Sequence, residues 1–252
     1  ADQIKDTANA QPLIVAAGLL SFKALGITAS VFAGHSVGEI TAASLANIIS
    51  ETDAMKIVHA RGFEMAKAAA ITPAGMSAVL GGDREAVVAA ITAAGLVAAN
   101  ENGGGQIVAA GSLEGLEKLA ANPPEGARVR ALAVAGAFHT SYMQPAVEPL
   151  RAQAATIATH PVQINVISNK DGEVVSDGAE VLTRIVNQIA NPVRWDLCME
   201  TLKSLGVTGV IELPPAGTLV GLLKRAASEI ESFALKSADD LPAAREFAER
   251  HL

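Results

Sequence analysis

The chain has 252 residues, half of them apolar and only 3% aromatic, with 22 glycines and a net charge of −7. That length and apolar content suit one large domain, or a domain carrying an insertion, around an ample core. No basic stripe offsets the acidic balance, which argues against a nucleic-acid binder, and the single Cys198 cannot form an internal disulfide. The five histidines are scattered, with no His-x-x-x-His pair and no Cys/His cluster of metal-ligand spacing. No metal site is therefore expected, and a reducing, cytoplasmic setting is the default.

The first long apolar stretch covers residues 12–22 and stops at Lys23, short of the ~20 residues a membrane span requires. The acidic start lacks the basic region of a signal peptide. The expectation is a buried helix over 12–25, leading into a β-branched strand over 27–33 between Gly26 and Gly34. A helix over 39–49 follows, with Ile40, Leu45 and Ile48 or Ile49 on one side, and then a helix over 53–70 capped by Thr52 or Asp53. Thr72-Pro73-Ala74-Gly75 breaks the chain.

Beyond it the rhythm is strand 76–80, helix 83–94, strand 96–100, strand 106–110, helix 113–121 and strand 128–134. That β-α-β-β-α-β order is the ferredoxin-like split unit. Gly103-Gly104-Gly105 in its middle is not followed by a helix carrying Lys-Ser/Thr, so it reads as a turn and not a phosphate loop. After Gly136 come helix 142–158, strand 162–167, helices 181–189 and 197–204, strand 210–213, helix 219–227, strand 233–235 and a closing helix 240–252. The fold class is therefore α/β. Residues 1–72 and 137–252 form a large α/β-hydrolase-like domain with a mainly parallel sheet, and 73–136 form an inserted small ferredoxin-like subdomain. A ligand cleft is expected between them.

Gly34-His35-Ser36-Val37-Gly38 lies at the end of the first strand and before a helix. This is the setting of a nucleophile elbow, in which a serine sits on a strained strand-to-helix turn with its Oγ exposed. Side chains at either glycine are expected to collide as strand and helix close. The five residues alone equally describe a tight turn with Ser36 capping a helix. A serine needs a base, usually histidine. His35 is adjacent but points elsewhere on an elbow; His160, in a Thr-His-Pro break, and His251, at the end, are expected in solvent; His59 lies in mid-helix. His139 follows the return crossing at Gly136-Ala137, which places it at the cleft. Asp53 and Asp83 lie in helix-start and turn contexts and do not convincingly complete a triad. Arg61 and Met65, one turn apart, share a helix face. Arg61 is either solvated or turned to the cleft, where its fork would hold a carboxylate.

Gly34-His35-Ser36-Val37-Gly38-Glu39 resembles the Gly-His-Ser-x-Gly-Glu signature of malonyl-CoA:acyl carrier protein transacylases. The resemblance continues in Ala10-Gln11-Pro12, Ala60-Arg61-Gly62-Phe63-Glu64-Met65, Gly75-Met76-Ser77-Ala78-Val79 and Gly105-Gln106-Ile107-Val108-Ala109-Ala110-Gly111. It extends through Gly136-Ala137-Phe138-His139-Thr140, Gln188 ahead of Asn191-Pro192-Val193-Arg194-Trp195, and Glu212-Leu213-Pro214-Pro215-Ala216-Gly217. These blocks span nearly the whole chain in the family's order. The resemblance implies Ser36 as acyl-carrying nucleophile, His139 as base and Arg61 as the arginine that binds the malonyl carboxylate. It implies that the Gln188 backbone carbonyl orients His139, and that Val37 N–H is an oxyanion donor. Phe138 and Val37 resemble malonyl-selecting members, and Gln11 and Met65 join the substrate-binding set.

The implied function is transfer of malonyl from malonyl-CoA to the phosphopantetheine thiol of acyl carrier protein through a serine ester, with no bound cofactor and a monomer expected. A serine hydrolase or thioesterase, a polyketide-type acyltransferase and a non-catalytic docking subunit are the alternatives. Acyl carrier proteins are acidic, so Lys170, Arg194, Lys224 and Arg225 are candidates for docking, or else ordinary surface. The family pattern also has an initial strand and a Gly-Gln-Gly turn that gives a second oxyanion donor. The sequence starts at Ala1-Asp2-Gln3, several dozen residues into that pattern, and Gln11 belongs to another block. Loss of one donor typically costs ~10²–10³ in rate.

Overall fold

The computed structural model describes residues 4 and 6–251. The first helix, α1 (Thr7–Leu25), starts before residue 12 because its cap lies outside the apolar run: the Asp6 carboxylate accepts from Ala8 N–H at 2.9 Å. Gly26 ends it in the left-handed region, φ 66°. With its full 19 residues α1 is long and apolar enough to cross a membrane, contrary to the reading that stops at Lys23. In this fold it packs on the helices that follow, with Gln11, Val15, Gly18 and Leu19 buried.

Strand β1 (Val31–Ala33) is shorter than expected, and only these three residues pair, in parallel, with β6 (below). Next come α2 (Gly38–Leu45) and α3 (Glu51–Ala69). α2 stops early because Asn47 takes a left-handed φ of 58°. Ser50, not Thr52 or Asp53, caps α3 by accepting from Asp53 N–H at 3.0 Å.

The next six elements are β2 (Ala74–Gly81), α4 (Arg84–Ala93), β3 (Val97–Gly103), β4 (Gln106–Ser112), α5 (Leu113–Ala121) and β5 (Ala127–Ala131). Asp83 and Ser112 cap the two helices. The sheet runs β5-β2-β4-β3, antiparallel throughout, over a core of Val79, Val87, Ile91, Ile107, Leu116 and Leu119. Gly104 and Gly105 both take positive φ in the β3–β4 turn.

The remainder comprises α6 (Gln144–Ala154), β6 (Asn165–Ile167), β7 (Val174–Val175), α7 (Gly178–Gln188), β8 (Val193–Arg194), α8 (Trp195–Ser204), β9 (Gly209–Glu212), α9 (Thr218–Ala226), β10 (Glu231–Ala234) and α10 (Leu241–Glu249). β8 joins the preceding sheet as a fifth strand, parallel to β3. Neither β7 nor β8 is foreseen: two residues are too few to show alternation. β1, β6 and β7 form one small sheet, and β9 and β10 a parallel pair. The molecule is thus a mixed α/β fold. Among the described residues one edge of β1 and one edge of β9 remain unpaired. A cavity of about 670 Å³ lies between them, lined by Phe22, Ile27, Phe32, Val210 and Leu219 and reaching Gly34 and His35.

Candidate active site

Ser36 sits between β1 and α2 with φ 53°, a conformation that costs a non-glycine residue about 1–2 kcal/mol. The close turn explains one glycine and not the other. A Cβ on Gly34 would lie 2.0 Å from the Gly38 carbonyl carbon, so strand and helix close only over glycine here. A Cβ on Gly38 would meet nothing within 4 Å, so the expected collision at that position is absent. Asn169, in the turn after β6, holds the bend from both sides. Its Oδ1 accepts from Ser36 N–H at 2.7 Å and its Nδ2 donates to Gly34 O at 2.8 Å. Val37 N–H has no hydrogen-bond partner among the described residues and lies one residue beyond the nucleophile.

His139 is also left-handed, φ 62°, and its N–H donates to Ile189 O at 3.0 Å. Its Nε2 stands 2.8 Å from Ser36 Oγ and its Nδ1 2.9 Å from Gln188 O. A carbonyl only accepts, so the proton sits on Nδ1 and the Nε2 lone pair faces the serine hydroxyl. Burial first, and then the Arg61 charge, lower His139 to about 3, so the resting imidazole is neutral. Among the described residues no carboxylate hydrogen-bonds this ring, and the pair is a dyad.

Arg61 is not solvated: on α3 it is 1% exposed. Nη1 donates to Gln11 Oε1, and Nη2 donates to Gln188 Oε1 at 2.8 Å and to Ser36 Oγ at 3.1 Å. Burial lowers its pKa to about 10, against the pull of Glu39. Gln11 is further fixed by donating to Thr7 Oγ1 at 2.8 Å and by contact with Met65 Sδ at 3.5 Å. Ser36, His139, Arg61, Gln188, Gln11 and Met65 therefore form one contiguous group. Phe138 packs half-buried beside it, on two of the apolar cores.

The other candidates lie apart. His35 Nε2 is 2.8 Å from Asn102 Oδ1, and its ring packs edge-on to Trp195. His59 stacks on Phe63 and is exposed, as is His160. His251 differs from expectation: it is half-buried against Phe247 and 3.0 Å from Thr208 Oγ1. Asp53 and Asp83 sit at helix starts. Lys170, Lys224 and Arg225 are exposed, whereas Arg194 pairs with Asp196 at 2.8 Å. No group of three potential metal-ligating side chains occurs among the described residues. Two residues escape the sequence reading. Asn169 lies in Ser168-Asn169-Lys170-Asp171-Gly172, which reads as an ordinary turn. Glu39 lies inside the signature but has no assigned role, although burial raises its carboxyl to about 7.

Comparison with known proteins places this geometry. Residues 1–245 match the acyl transferase domain family. The chain is 50% identical to the malonyl CoA-acyl carrier protein transacylase of Mycobacterium tuberculosis over 95% of its length and 82% of the relative's. It is 34% identical to the Bacillus subtilis protein of the same name, over 96% of this chain and 79% of that one. The M. tuberculosis MCAT crystal structure superposes with a TM-score of 0.91 at 49% identity, covering 97% of this chain and 83% of that one. The Burkholderia pseudomallei acyl-carrier-protein S-malonyltransferase gives 0.93 at 35% identity, covering 98% and 83%. The chain belongs to the acyl transferase domain family.

Proposed function

We propose that the chain transfers malonyl from malonyl-CoA to the phosphopantetheine thiol of acyl carrier protein, feeding fatty-acid chain elongation. The observation that carries this reading is Arg61, a buried guanidinium 3.1 Å from the Ser36 hydroxyl. A serine–histidine dyad serves many acyl groups, but a buried cation beside it favours one that ends in an anion. His139 takes the Ser36 proton as Oγ attacks the thioester carbonyl carbon. Val37 N–H donates to the oxyanion, and the tetrahedral adduct collapses, releasing CoA thiolate, which takes the proton back from His139. Arg61 holds the malonyl carboxylate in the resulting ester. That carboxylate also offsets the charge that depresses His139, so the substrate strengthens its own base. The carrier-protein thiol then repeats the steps in reverse.

A hydrolase triad places a carboxylate on His139 Nδ1; here that atom meets Gln188 O at 2.9 Å, which favours the transferase. The cavity between β1 and β9 opens beside Gly34 and His35, next to the nucleophile. Residues 73–136 form the ferredoxin-like unit, and residues 1–72 and 137–252 the catalytic one, in a cytoplasmic monomer without bound cofactor. Support for that division is the β5-β2-β4-β3 order and its own apolar core. Steady-state kinetics with malonyl-CoA and holo-acyl carrier protein test the reading. Parallel double-reciprocal lines are expected for an ester intermediate; intersecting lines would show a ternary complex and overturn it.

A further inference from the structure

We propose that Glu39 is a positioning residue whose ionised carboxylate fixes the Gln188 amide, so that the active site assembles only when Glu39 is unprotonated. The inference rests on the acyl-transfer reading and extends it to the group that governs its acid limb.

Glu39 lies in the first turn of α2 and is 4% exposed. Its Oε1 accepts from Asn169 N–H at 2.6 Å and its Oε2 accepts from Gln188 Nε2. Both oxygens therefore face donors. The Gln188 amide has one donor end and one acceptor end. Its Nε2 also reaches Ser36 O and Asn169 Oδ1, each at 3.1 Å, which leaves Oε1 to accept from Arg61 at 2.8 Å. A proton on Glu39 has no acceptor on either side. It sets O–H against N–H, and turning the amide to relieve this puts an NH₂ group against the Arg61 guanidinium. The same residue's backbone carbonyl orients His139, and Asn169 holds Ser36 N–H. One carboxylate thus reaches nucleophile, base and substrate-binding cation through two neighbours.

The charged groups around Glu39 are Arg61 on α3 and Arg184 on α7. Arg184 is already paired with Asp171 at 2.8 Å and Glu180 at 2.7 Å. Cys198 on α8, behind Asn169, has its thiol pushed up by burial and stays neutral. Burial outweighs these attractions and raises Glu39 to about 7, whereas His139 is held near 3. The imidazole is neutral on both sides of neutrality, so its protonation does not produce an acid limb there.

Two measurements test this. In the wild type, kcat/KM for malonyl-CoA should fall about tenfold per pH unit below a midpoint near Glu39's value of about 7. NMR of labelled histidine should show the His139 ring unprotonated across that fall. Glu39→Gln should lower kcat/KM at pH 8 by about tenfold and flatten the acid limb. A His139 ring that titrates with activity, or an acid limb that persists in Glu39→Gln, overturns the proposal. The NMR result needs no variant, so it decides even if Glu39→Gln does not fold. Ser36→Ala separates the two readings: transfer by that variant defeats the serine ester, whatever the acid limb shows.

Discussion

Arg61 meets three functional atoms from one buried position, and its neighbours show what its removal does. Arg61→Ala takes away the fork that Gln11, Gln188 and Ser36 Oγ share. Hydrogen bonds to a charged group contribute ~1.5–3 kcal/mol, so kcat/KM for malonyl-CoA should drop about 10- to 150-fold. Acetyl-CoA, which lacks the carboxylate, should lose less; comparison of the two rates checks this. Titration gives a second residue-level prediction. Burial raises Glu39 in the folded state to about 7, above the usual 4.5 of a glutamate, so the folded state binds the proton more tightly. Between those values its contribution to stability falls as pH rises. His139 has the opposite sign: lowered from 6.5 to about 3, it destabilises the fold as pH falls through that window. The Tm of Glu39→Gln relative to wild type should therefore rise from pH 4.5 to 7.5, as differential scanning calorimetry can show. Ser36 and His139 are legible from the elbow and from the return crossing at Gly136-Ala137, whereas the residue type of Arg61 leaves a solvated and a cleft-facing setting open and only the family resemblance singles it out. Asn169 is not, because an asparagine in a turn has an ordinary local use. Its role arises from a bond to Ser36, 133 positions away.

At the scale of elements, the strand–turn–helix elbow separates two glycines that the sequence treats alike. Gly34→Ala places a methyl against the Gly38 backbone and should cost ~3 kcal/mol or more, seen as a large loss in urea midpoint. Gly38→Ala has open space at the first position of α2 and should stabilise by ~0.5–1 kcal/mol. Helices are read well where a cap and an apolar face coincide, as in α5, whose bounds match expectation. Boundaries shift where a cap lies outside the apolar run, as Asp6 does for α1. Short strands escape for a different reason. β7 and β8 exist because a neighbour offers an edge, and that is a property of the sheet, not of two residues.

At the scale of the whole molecule, β8 and the His35–Asn102 contact tie the unit around β2–β5 to the elbow. The split order of that unit is legible from alternating patterns, but the fifth strand from beyond residue 136 is not. Carrier-protein docking is a long-range property as well. The chain carries a net −7, so an acidic carrier needs a local basic patch, and Lys224 and Arg225 are adjacent and exposed on α9. Charge reversal at both should raise KM for acyl carrier protein several-fold at low salt. The malonyl-CoA half-reaction should remain unchanged, and stopped-flow acylation checks this. The most direct test of the Ser36 ester is intact-protein mass spectrometry after brief exposure to malonyl-CoA. A gain of one malonyl group is expected, lost on adding holo-acyl carrier protein and absent in Ser36→Ala. A gain that persists in Ser36→Ala, or no gain in a wild type that turns over, would contradict it.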